Sequence, residues 1–173
     1  MITEIQLTEA IAEDVALSGE LIEKLTLLAH PSLAVLKNRR MVILTLTKDH
    51  NKSVSSWAFC TDTFWGLTDA KEIFFGWIKA GDTKKAWILA GSGNLGVVDG
   101  AVLHWIARQG HKGLRFLMAS NSTLAKSPVA MEVALLLARD VDVDVRVAIG
   151  NNLWLADLPK GFEICRVLNT QKK

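Results

Sequence analysis

Small residues close short apolar runs at near-constant intervals along this chain. They are Ala29, Cys60, Gly91, Ala119 and Gly150, spaced by 31, 31, 28 and 31 residues. A period near thirty is the mark of repeat architectures, in which one unit cannot bury its apolar face alone and stacks on copies of itself. The runs LTLLA, SWAFC, WILAG, RFLMA and RVAIG precede the anchors, and the polar turns HPS, TDT, SGN, SNS and NNL follow them. Four positions beyond the anchors stand Leu33, Phe64, Leu95, Thr123 and Trp154, apolar in four of the five cases.

Between the anchors, three segments carry helical periodicity. Ala70, Ile73, Phe74, Trp77 and Ile78 follow the i, i+3, i+4, i+7, i+8 pattern. Val98, Ala101, Val102, Trp105 and Ile106 do the same, as do Ala130, Val133, Ala134, Leu137 and Ala138. Each set is one apolar stripe on a helix. Ser127–Pro128 suits the start of the third, and Thr68 and Ser18 are placed to cap helices at 69–80 and 19–29. The short runs ending at the anchors span about eight residues, where periodicity does not separate a buried helix from a buried strand. The stretch 41–47, MVILTLT, reads better as a strand.

Residues 136–152, LLARDVDVDVRVAIGNN, resemble the leucine-rich repeat variant, a relative of HEAT repeats. Leu137, Ala138, Asp140, Asp142, Val145, Arg146, Ala148 and Asn152 fall where that pattern expects them. Weaker echoes occur in LAHPSLAVL (28–36) and FLMASNSTLA (116–125). The resemblance implies an all-α fold: a right-handed α-solenoid of about five helical repeats in one domain over residues 1–173. If the short runs are strands instead, the fold is α/β with repeated β-α units, Rossmann-like or a leucine-rich-repeat horseshoe. Asp140, Asp142 and Asp144 suit a helix N-terminus, where free N–H groups favour negative charge. A known relative of the variant carries an iron–sulfur cluster on a cysteine-rich extension. With only Cys60 and Cys165 here, that cofactor is not carried over and none is expected.

Composition excludes several classes. Half of the 173 residues are hydrophobic and the mean hydropathy is +0.23, enough for a core without metal or disulfide. No apolar run approaches eighteen residues and the N-terminal stretch is acidic, so neither a membrane span nor a secretory leader is expected. A reducing cytoplasm suits the two distant cysteines. His30, His50, His104 and His111 form no metal-binding spacing, and no nucleophile–base motif is present. The six tryptophans read mostly as core.

Two motifs remain. GSGNLG places Gly91, Gly93 and Gly96 in the G-x-G-x-x-G pattern, before the stripe from Val98 to Ile106. If WILA is a strand, this suits a nucleotide (NADP)-binding turn; if the repeat holds, the glycines are one version of its turn. Lys84, Lys85, Lys112, Arg115 and Arg146 recur near the start of successive short runs, with Lys52 in the same place. Stacked units would align them in a basic stripe able to meet an acidic protein surface or phosphates. The expected function is a non-catalytic interaction module binding a protein partner. The alternatives are nucleotide binding by the glycines and nucleic-acid binding by the stripe. Pairing between copies through the terminal repeats is a further expectation, the segment 160–169 with TQKK reading as an end cap.

Overall fold

The computed structural model describes residues 7–158 and 161–170. They form twelve α-helices and four 3-10 segments, with no strand among the described residues. The all-α expectation holds in class, and the α/β alternative with repeated β-α units is corrected.

After α1 (Glu9–Ser18), the order helix, short segment, helix occurs five times. The first two triplets are α2 (Leu21–Ala29), Pro31–Val35 and α3 (Arg39–Leu46), then α4 (Lys52–Ala58), α5 (Asp62–Trp65) and α6 (Ala70–Lys79). The third is α7 (Lys84–Ala90), Leu95–Val97 and α8 (Gly100–Gln109). The last two are α9 (Lys112–Ser120), Ser122–Lys126 and α10 (Ala130–Ala138), then α11 (Val143–Gly150), Leu153–Asp157 and α12 (Gly161–Thr170). The middle member is a 3-10 segment in four triplets and the single-turn α5 in the second.

Every run ending at an anchor is a helix, and burial shows why. Lys24, Leu27 and Leu28 on α2, or Ala86, Leu89 and Ala90 on α7, fall at i, i+3, i+4. Leu114 and Met118 on α9, and Val145 and Ile149 on α11, fall at i, i+4. Each is one narrow stripe of a short helix. The MVILTLT stretch, expected as a strand, is also helical. In α3, Val42, Ile43 and Leu46 are fully buried on one stripe against α1 and α4. This burial outweighs the modest intrinsic strand preference of β-branched residues. Ser18 ends α1 rather than capping α2; the Glu20 N–H donates instead to the Glu23 carboxylate at 2.8 Å.

The middle segments correct the register by one residue. Leu33, Phe64, Leu95, Leu124 and Leu155 are buried at intervals of 31, 31, 29 and 31 residues. Leu124 and Leu155 therefore hold the place expected for Thr123 and Trp154. The tryptophans differ too: only Trp154 is buried, while Trp57 and Trp87 are exposed.

The chain forms two compact units, one through Ile73 and one from Phe74. In the first, α1 packs on α2 and α3, α2 on α4, and α3 on α4 and α5. Ala12 and Ala16 let α1 approach closely, over a core that includes Leu27, Leu46 and Phe64. In the second, α7 packs on α9 and α9 on α11, forming one row. A second row runs from α8 to α10 to α12, and the 3-10 segments stack on one another in sequence. Between α6 and α7, Gly81 takes a φ of 87°, the left-handed conformation that closes many helices. Its N–H donates to Ile78 O and the Asp82 N–H to Trp77 O, both at 3.0 Å.

No helix among the described residues is long and apolar enough to cross a membrane. Residues 160 and 171–173 of the expected C-terminal cap lie outside the described residues.

Candidate functional site

The expected basic stripe is largely consumed inside the fold. Arg115 donates from Nε to Asp140 Oδ2 at 2.6 Å and from Nη2 to Oδ1 at 3.0 Å, and from Nη1 to Gly110 O at 2.6 Å. The Asp140 carboxylate raises the Arg115 pKa, chiefly through this hydrogen bond. Arg146 donates to the carbonyls of Asp140 and Val141 at 2.7 and 3.1 Å. Lys112 bridges Asp142 and Asp144 at 2.9 and 2.8 Å, and both contacts raise its pKa. Lys85 pairs with Asp82 at 2.9 Å and lies 4.8 Å from the Trp77 ring centre. Of the five, Lys84 alone is exposed without an ion pair among the described residues.

The first unit repeats the Arg115–Asp140 arrangement. Lys24 donates to Asp49 at 2.7 Å, again across 25 positions, with both side chains almost wholly buried. Asp49 then accepts the Asn51 N–H at 2.7 Å, as Asp140 accepts that of Asp142 at 2.9 Å. Asn51 and Asp142 in turn accept the N–H groups of Ser53 and Asp144, capping α4 and α11. Ion-pair and capping positions thus recur together with the buried leucines.

The glycines of GSGNLG do not sit between a strand and a helix. The WILA run belongs to α7, Gly91 caps its C-terminus, and α8 begins only at Gly100, capped by Asp99. The context that a dinucleotide turn needs is therefore missing here. Gly96 has a packing role instead. A Cβ there would lie 2.6 Å from Lys126 Cβ and 2.7 Å from Thr123 O, so the missing side chain lets two 3-10 segments touch. Gly93 has no heavy atom within 4 Å of a would-be Cβ. Gly96→Ala is expected to lower stability by about 1–3 kcal/mol through overpacking, and Gly93→Ala to change it by less than about 0.5 kcal/mol. Urea denaturation of both variants measures the contrast, and equal effects would sink the packing role.

What the structure adds is an apolar face on the row α7, α9 and α11. Trp87, Phe116 and Val147 hold equivalent register positions and are 39, 41 and 54% exposed. The Trp87 indole lies across the start of α9, beside His111 with ring centres 5.9 Å apart. A Cβ at Gly113 beneath it would meet the indole, so a larger residue there would displace the ring. Beside Trp87, a shallow depression of about 610 Å³ is lined by His111, Lys112, Gly113, Phe116, Asp144 and Val147. A smaller one, about 300 Å³, continues past Phe116 and Val147 to Ser120, Asn151 and Asn152. Together they make one furrow along α9 and α11 with an apolar waist. Sequence reading missed it by assigning the tryptophans to the core; the signal was the 29- and 31-residue spacing of Trp87, Phe116 and Val147.

Among the described residues, no group of three or more histidine, cysteine or acidic side chains could hold a metal ion. Cys60 is buried. No protein-family model, curated protein or solved structure matches this chain.

Proposed function

We propose that this protein is a helical-repeat interaction module of the HEAT or leucine-rich-repeat-variant kind, an α-solenoid in class, that holds a protein partner in the cytoplasm. The observation carrying the reading is the exposed apolar column Trp87, Phe116 and Val147 on successive helices, the last two lining a furrow. Contiguous exposed apolar surface rimmed by polar groups marks protein contact sites, and aromatic side chains supply most of the energy in such contacts. The repeat reading is supported by the recurrence of the triplets, the buried leucines and the two buried ion pairs.

The test is site-specific photocrosslinking in the cells that make the protein. A benzophenone side chain replaces Phe116 in one variant and the exposed Glu132 of α10 in another. Discrete protein adducts are expected from position 116 and not from position 132. The same adducts from both positions, or none from 116, would overturn the reading.

A further inference from the structure

Cations stand at the C-terminal ends of α6, α8 and α10. Lys79 ends α6, Arg108 lies in the last turn of α8, and Arg139 follows α10 directly. Each lies five residues after a buried residue of its own helix, Phe74, Leu103 and Ala134, so they occupy one register position on those helices. Lys48 holds it in the first unit, just after α3. The ends of α6, α8 and α10 lie on one edge of the second unit because these helices run in register. Phe74 and Phe75 of α6 meet Trp105 of α8 with ring centres 6.3 and 6.2 Å apart, and His104 of α8 reaches Glu132 of α10 at 3.1 Å.

All three residues are exposed, and none has an ion pair or side-chain hydrogen bond among the described residues. The carboxylates of the same edge are all engaged. Asp82 meets Lys85, Asp140 meets Arg115, and Asp142 and Asp144 share Lys112. The charge left unneutralised there is positive: Lys79, Arg108, Arg139 and the start of α7 at Lys84. A cation at a helix C-terminus favours its own helix by a few tenths of a kcal/mol. That effect does not require the same register position each time, nor does it account for Lys84 at an N-terminus.

Turns of three or four residues lead from these cations into α7, α9 and α11. The column therefore borders the N-terminal end of the furrow that contains Phe116 and Val147. We infer that the partner's bound segment is an acidic amphipathic helix, its apolar side on Phe116 and Val147 and its carboxylates on Lys79, Lys84, Arg108 and Arg139. The inference rests on the reading of that face as a binding surface. An apolar waist and the edge's own carboxylates suit a peptide better than a phosphate backbone. Packed helices stand about 8–10 Å apart, and residues seven apart on a helix are separated by about 10.5 Å. On a peptide helix lying across α9 and α11, carboxylates in heptad register thus match the rungs of the column.

The probe is a dye-labelled synthetic helix with leucine on one face and glutamate at heptad spacing beside it, titrated with the full chain by fluorescence anisotropy. A second peptide carries glutamine for every glutamate, and a third probe is a thymidine oligonucleotide. The glutamate peptide is expected to bind at least about tenfold more tightly than the glutamine peptide. The triple variant K79E/R108E/R139E is expected to remove that difference while keeping its helical circular dichroism, and K79Q/R108Q/R139Q to reduce it. Equal binding of the two peptides, or no binding of either, overturns the inference. So does tighter binding of the oligonucleotide that the triple variant abolishes. The face reading fails separately: its crosslinks from position 116 disappear, whatever the peptides do.

Discussion

Asp140→Ala is expected to cost about 3–5 kcal/mol of folding stability, a large share of the roughly 5–15 kcal/mol of an ordinary domain. The carboxylate takes two hydrogen bonds from Arg115 and one from the Asp142 N–H. The side chains of the pair are only 15 and 5% exposed. Removing the acid leaves a guanidinium charge in a place that water reaches poorly, and this dominates the loss. Removing both partners, as Arg115→Met with Asp140→Leu, should cost much less, because no charge is then stranded. Asp49→Ala should behave like Asp140→Ala, since its side chain and that of Lys24 are 5 and 8% exposed.

The Lys24–Asp49 pair also carries a pH signature. Burial pushes the Asp49 carboxyl up, but hydrogen bonds from Lys24 and the Asn51 N–H outweigh this and hold it below its ordinary value. A carboxyl whose folded pKa is lowered stabilises the fold fully above its unfolded value, about 3.9, and loses that contribution as pH falls through the folded one. Urea denaturation of Asp140→Ala, Asp49→Ala and the double variant measures the set. A loss below 1 kcal/mol for Asp140→Ala would show that the pair is not the closed element described.

Asn121→Ala should cost about 2–4 kcal/mol, from several net hydrogen bonds near 1 kcal/mol each and a lost cap. Its Nδ2 donates to Ala90 O at 3.0 Å and Ser92 O at 2.8 Å, reaching back to the preceding triplet. Its Oδ1 accepts from the Thr123 N–H at 2.9 Å and the Thr123 hydroxyl at 2.7 Å. Asn152, one interval later, donates to Ala119 O at 2.6 Å and caps nothing with its own side chain. Asn152→Ala should therefore cost less, about 1 kcal/mol. Asn121→Asp is the sharper test. It keeps the cap acceptor but sets a carboxylate against two carbonyl oxygens, so it should be at least as damaging as alanine. Thermal unfolding ranks the three, and a harmless Asn121→Asp would refute the bridging role.

The recurrence and the three long helices were legible because an apolar stripe of ten residues specifies its own period. The short runs were not, since Ala86, Leu89 and Ala90 fit a helix or a strand until their neighbours are known. Small anchors misled by one position in the last two triplets: Ala119 and Gly150 point to Thr123 and Trp154, where Leu124 and Leu155 hold the register. The candidate site was less legible. Lys112, Arg115 and Arg146 align in sequence as a stripe, yet nearby Asp140, Asp142 and Asp144 were read as helix-start residues only. Their second role, neutralising cations on α9, depends on packing across about 30 residues. Phe116 and Val147 carry no sequence mark of exposure, because an apolar residue on a short helix is core by default.

Asn121 and Asn152 each reach back to the preceding triplet, to Ala90 O and Ala119 O, and the Arg115–Asp140 pair closes the fourth triplet on itself. A second copy of residues 111–141, inserted after Val141, would find Ala119 for its asparagine and would bring its own Arg115 and Asp140. No buried donor would be orphaned by the insertion. Under the proposed repeat reading, a longer furrow is reached by duplication rather than by redesign.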